Sequence, residues 1–282
     1  TLNNDATDST TFTGGLTLLL PTQANIAGTV QTTNNTISIG DSNTPTVLTA
    51  NTTISSGTAG LTLGGTVNGA FTLTLNSSGT TTLSSTIGNS TALASITTNS
   101  GGTVAINGGA ITTTGAQTYN DAATLGAATT LTTTNNNVTF NGTLNSDGAT
   151  PRNLTLSLGT GTLVIGDSTA DTVGATNPLG AIAITGALDL NAAITSATSL
   201  SVSLASDLGA NVTTSGNQTY SGAVTLSTSN TLTTTSNGNI SFGSTVNGDT
   251  TGRTLSVTTN GTGDTTFTGT VGGTNALGNI TI

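Results

Sequence analysis

Few side chains in this sequence are able to do chemistry. Its 282 residues include no His, Cys, Glu or Lys, so the usual general bases, thiol nucleophiles and Schiff-base formers are missing. Asp, Ser, Thr, Tyr and two Arg remain. The close carboxyl pairs are Asp5 with Asp8 and Asp167 with Asp171. A glycoside hydrolase needs two carboxyls facing each other across a cleft. Sugar sites also tend to present aromatic faces, and aromatics are 2% of this chain. Tyr119 and Tyr220 occupy equivalent positions of an internal repeat and read as structural. The chain reads as a non-enzyme, with no catalytic residue, no cofactor-binding residue and no cofactor expected.

For metals, Asp-rich turns supply the hard oxygen ligands calcium prefers. The stretch Gly261 to Asp264, "GTGD", holds a fragment of a calcium-binding nonapeptide pattern, which makes Asp264 the one weak candidate ligand. A single partial match does not build a ladder of ligands, and an Asp capping a turn accounts for it. Without Cys there is neither disulfide nor thiolate metal site. Arg152 follows Asp147 and Arg253 follows Asp249 at a spacing that suits local ion pairs across turns. With only these two cations and a net charge of −9, a nucleic-acid partner is excluded, since that affinity comes mainly from Lys and Arg neutralising phosphates. The longest aliphatic run, Leu16 to Leu20, is far short of the roughly 20 residues of a membrane helix. No insertion into a bilayer by this segment is expected. Asn-x-Ser/Thr triplets such as Asn51-Thr52-Thr53 and Asn153-Leu154-Thr155 arise by chance in so Asn- and Thr-rich a chain. Thr-x-Thr text points to a Thr ladder of the kind that suits ice, but the spacing wanders.

What positions these residues is a repeat. "GAQTYNDAATL" (Gly115 to Leu125) returns as "GNQTYSGAVTL" (Gly216 to Leu226), 101 residues on. "VTFNGTLNSD" (Val138 to Asp147) returns as "ISFGSTVNGD" (Ile240 to Asp249), with a weaker upstream copy, "LTLGGTVNG" (Leu61 to Gly69). A second landmark recurs as "TALASI" (Thr91 to Ile96), "NPLGAI" (Asn177 to Ile182) and "NALGNI" (Asn275 to Ile280). Residues 1–282 are expected to form a single continuous solenoid of about three units of 80 to 100 residues. "TTFTG" at both Thr10 to Gly14 and Thr265 to Gly269 suggests units cut partway at both ends. Either a longer tandem array or protomers that complete one another would explain this.

Within each unit apolar residues alternate in short pairs, among them Ile37/Ile39, Leu61/Leu63, Val104/Ile106, Leu200/Val202/Leu204 and Ile280/Ile282. A spacing of two is the strand signature. Asn-Gly pairs (Asn68-Gly69, Asn107-Gly108, Asn141-Gly142, Asn237-Gly238, Asn247-Gly248, Asn260-Gly261) suit turns that require positive φ. Many short strands in tandem repeats predict an all-β chain folded as a parallel β-helix (β-solenoid). At roughly 20 residues per coil that means roughly 12 to 15 coils. One coil has too few apolar residues to stand alone, so neighbouring coils are one another's hydrophobic partners. Stacked like charges would repel, which is a reason for only 5% charged residues.

The repeat segments quoted above, with "LTTTSNGNISFGSTVNG" (Leu232 to Gly248), resemble the repeats of large bacterial haemagglutinin-like adhesin exoproteins of the two-partner-secretion and autotransporter kind. The resemblance implies a right-handed β-helix, export across an outer membrane and a place at the extracellular cell surface. The expected function is structural, a rigid stalk, fibre or filament that is part of a giant adhesin. Its partners would be itself, through neighbouring coils or head-to-tail protomers, and a host surface or glycan. The alternative is a binding module for a glycan or host ligand on one solenoid face. A polysaccharide-active enzyme is third.

Overall fold

The structure, a computed structural model, describes residues 1–19, 22–168 and 170–282. Leu20, at the end of the aliphatic run, lies outside the described residues. These residues contain no helix. Parallel strands stack as a β-solenoid of about 13 turns, as the alternation predicts. The chain resolves into two compact units, Thr1–Phe140 and Asn141–Ile282, a division that the three-unit reading of the repeats does not contain.

In the first unit, three columns of strands run in parallel register. One column passes through Thr72–Ser77, Ser95–Thr98, Gln117–Tyr119 and Val138–Phe140. A second passes through Ile37–Ile39, Leu61–Leu63, Thr80–Leu83, Thr103–Ile106 and Ala122–Leu125. The third links Thr46, Val67, Ile87, Ile111 and Leu131. Period-2 alternation puts every second side chain inside, so the inner columns are stacks of like residues. Ile39, Leu63, Leu83, Ile106 and Leu125 form one such stack and all are buried. Each contributes about 1.5–3 kcal/mol by burial.

The second unit repeats the plan. Its first column runs Leu156, Ile184, Val202, Tyr220, Phe242 and Phe267. Rung length varies: 18 residues separate Leu200 from Gln218, and 28 separate Leu154 from Ile182. The extra residues fall in the corners and turns, leaving the columns in register.

Three sequence expectations need correction. Leu204 does not continue the buried alternation of Leu200 and Val202. It is 40% exposed, because the chain turns a corner there, and Ile280 and Ile282 are exposed as well. Of the Asn-Gly pairs, Gly69 (φ 127°), Asn237 (φ 54°) and Gly261 (φ 75°) take up positive φ. Gly108 and Gly248 do not; a side chain is excluded by close approach instead, at Gly108 to the Ser85 backbone one rung away and at Gly248 to the Thr250 carbonyl and the Arg253 side chain of its own turn. Charge is not wholly kept apart either, since Asp189 and Asp207 are register partners on adjacent rungs.

Candidate functional site

The polar side chains with the most specific geometry point from one rung to the next. Asn68 Oδ1 accepts the backbone N–H groups of Ser90 (3.0 Å) and Thr91 (3.2 Å). Asn145 Oδ1 accepts those of Thr176 (3.0 Å) and Asn177 (3.3 Å), and Asn247 Oδ1 accepts that of Thr274 (2.9 Å). These are the two landmarks that recur in the sequence. The Asn of "TVNG", "TLNS" and "TVNG" holds the segment beginning "STALASI", "TNPLGAI" and "TNALGNI". The motifs repeat together because each satisfies the other's orphan backbone groups.

Gln117 and Tyr119 form a closed buried network. Gln117 Nε2 donates to the carbonyls of Ile111 (3.2 Å) and Thr132 (3.0 Å) and to the Thr113 hydroxyl (3.3 Å), while Tyr119 O–H donates to Gln117 Oε1 (3.0 Å). The second copy is the same. Gln218 Nε2 donates to Val212 (3.3 Å), Thr233 (2.9 Å) and the Thr214 hydroxyl (3.3 Å), and Tyr220 O–H donates to Gln218 Oε1 (3.1 Å). Burial raises both phenols above the ordinary tyrosine range. The rings stack: Tyr119 on Phe140 with centroids 4.9 Å apart, Tyr220 on Phe242 at 5.4 Å, and Phe242 on Phe267 at 4.7 Å.

The acids singled out from the sequence cap turns. Asp5 Oδ1 accepts the N–H and hydroxyl of Thr7 and the N–H of Asp8, contacts that lower its pKa, the Thr7 hydroxyl most. Asp8 Oδ2 accepts the N–H of Asn4. Asp171 Oδ2 accepts from Asp167 N–H and from both the N–H and hydroxyl of Ser168. Asp264 is exposed. Its N–H donates to Asn239 Oδ1 and its carbonyl accepts from Ile240. Among the described residues no group of three or more potential ligands gathers there or elsewhere. Arg152 and Arg253 make the local pairs: Nε to Asp147 at 2.9 Å and Nε to Asp249 at 2.6 Å.

Sequence reading missed other polar positions. Asp189 and Asp207 lie far apart in the chain, but the short rungs here make them neighbours. Burial and then the Asp207 charge push the Asp189 carboxyl up, against a hydrogen bond from Asn191, and the Ser227 hydroxyl donates to Asp207 at 2.5 Å. The rung length was the signal that would have found them. Nearby lies an open depression of about 230 Å³ lined by Asn191, Gly209, Asn211 and Thr228 among others, with no aromatic or charged group in its wall. Asn51 and Asn153, in the two Asn-x-Thr triplets, accept the backbone N–H of the next rung at Thr72 (3.1 Å) and Ala181 (2.9 Å).

On the outer surface of the first unit, Thr29, Thr53, Thr74, Thr97, Thr118 and Thr139 are successive register partners. All are half-buried. Coil spacing wanders in sequence, yet the ladder is unbroken because the extra residues fall in the corners and turns. Comparison with known protein families, with characterised proteins and with solved structures finds no match to this chain.

Proposed function

We propose that this chain is a structural protein, a stretch of extracellular β-solenoid serving as a rigid stalk, fibre or filament of a bacterial surface adhesin. One observation carries the reading: the side chains best equipped for recognition, Gln117, Gln218, Asn68, Asn145 and Asn247, are engaged in holding rungs together. Fully satisfied internal networks rigidify a fold. Together with the resemblance of the repeats to haemagglutinin-like exoproteins, this supports a role in which stiffness and reach are the product. Immunogold labelling of intact cells and single-molecule pulling test it. Label outside the cell and stepwise unfolding at high force are expected. Label confined to the cytoplasm, or extension at low force, would overturn it.

A second reading is favoured by the threonine column, a solenoid face that binds a regular, uncharged surface such as a glycan. At about 4.8 Å between rungs, its six side chains repeat along one direction without a charged neighbour in the column. A glycan array and an ice-recrystallisation assay with a Thr74→Lys/Thr97→Lys control decide between occupants. Silence in both removes this reading.

A further inference from the structure

Asp121 turns the chain from the strand Gln117–Tyr119 into the strand Ala122–Leu125. Its residue is only 1% exposed. Oδ1 accepts the backbone N–H of Gly102, one rung below, at 2.8 Å. The Thr98 hydroxyl oxygen accepts the N–H groups of Asn120 (3.1 Å) and Asp121 (3.4 Å). Oδ2 is buried with no hydrogen-bond partner. The corner has no slack, for a Cβ added at Gly102 would run into the carbonyls of Ser77 and Gly79.

Nor does any charge compensate the carboxyl. Between Asp41 and Asp147 the only titratable side chains are Tyr119 and Asp121. The surrounding strands Thr72–Ser77, Ser95–Thr98, Thr103–Ile106 and Val138–Phe140 therefore bring none, and the Tyr119 hydroxyl is committed to Gln117. Both arginines belong to the second unit and are paired there. A carboxylate buried in such a place is costly unless paired, and the neutral acid costs less.

We propose that Asp121 is a proton-operated latch between successive rungs of the first unit. Protonated, the carboxyl keeps the Gly102 bond and closes the corner; ionised, it leaves a buried negative charge facing no cation, and the corner loosens. Burial is the largest influence on this group and raises its pKa above 3.8, opposed chiefly by the Gly102 N–H. A folded-state value above the unfolded one means the folded chain holds the proton more tightly. The latch's contribution is thus fully present below pH 3.8 and is lost as pH rises through the folded value. Most carboxylates in a folded protein act in the opposite sense.

Carboxyl-carbon NMR titration of the whole chain, with amide hydrogen exchange at Gly102 from about pH 3 to about pH 7, tests the latch. The Asp121 carbon is expected to titrate above 3.8. Gly102 protection, corrected for intrinsic exchange, should fall several-fold with rising pH in the native chain and stay level in Asp121→Asn. Gly216, bonded to Thr198 in the second unit, should not respond in either protein. Titration at or below 3.8 overturns the proposal, as does an equal loss of protection in the variant. The titration decides the matter alone if Asp121→Asn does not fold.

Discussion

In the first unit Gln117, Tyr119 and Phe140 hold the same network as Gln218, Tyr220 and Phe242 in the second, donor for donor. Two residues past each tyrosine the copies part. Asp121 fills its corner with a carboxyl, whereas an added Cβ at Gly222 would run into the carbonyl of Leu204. Outward, where the first unit has six threonines, the corresponding column of the second has Thr155, Ala183, Ser201, Thr219, Ser241 and Thr266. Close packing tolerates little change inside. Corners and outer columns are freer, so any property that distinguishes the units resides there.

The largest expected effect tests the shared interior. Phe242 is sandwiched between Tyr220 and Phe267, so Phe242→Ala should destabilise by about 3–5 kcal/mol, measured by denaturant unfolding. A cost below about 1 kcal/mol would mean that the ring stack is not part of the core. Next, Gln117→Leu and Gln218→Leu each leave a buried phenol without its acceptor. Each should cost about 1–3 kcal/mol, and the two costs should agree. A wide disagreement would break the equivalence of the copies. At the divergent corner, Gly222→Ala should cost about 1–3 kcal/mol through overpacking, while Asp121→Ala is tolerated sterically and loses the bond to Gly102.

Much of the interior was legible beforehand. The alternation at Leu61/Leu63 or Val104/Ile106 specifies strand and inward face together, because a half-buried strand has a period of two. The Gln-Thr-Tyr repeat marked a conserved environment within the chain but not its content, since nothing local says that Gln117 reaches Thr132. Asp121 and the Asp189–Asp207 pair were illegible for the same reason. Which residues share a corner depends on rung length, and rung length is set by turns whose sequences vary. Gly108 and Gly222 show the limit from another side, being needed for backbone contacts with segments distant in sequence.

A smaller effect sharpens the likeness of the two networks. Tyr119 and Tyr220 are the only tyrosines, so tyrosinate absorbance reports them without background. Burial raises both phenols, and stability from them is present below the ordinary value of 10.0 and is lost as pH climbs beyond it. No tyrosinate should form near that pH in the folded chain, and both phenols should ionise together when it unfolds. Ionisation of one at its ordinary value would show that its copy of the network is open.

The smallest effect concerns the two ion pairs. Arg253 meets Asp249 at 2.6 Å and 2.9 Å, and Thr250 adds its N–H and hydroxyl to the same carboxylate. Arg152 meets Asp147 at 2.9 Å and 3.3 Å without such help from a neighbouring side chain. The Arg253 hydrogen bond is the main cause that lowers Asp249 from 3.8 to about 2, and Asp147 is lowered chiefly by Arg152. A depressed value means that the stabilisation is present above 3.8 and is lost as pH falls through about 2. Both pairs are exposed, so water and salt screen them, and Arg253→Gln should leave the unfolding midpoint nearly unchanged. The same substitution should return the Asp249 carboxyl towards 3.8 in an NMR titration. A large fall in the midpoint would mean that the turn, and not the solenoid core, holds this end of the second unit.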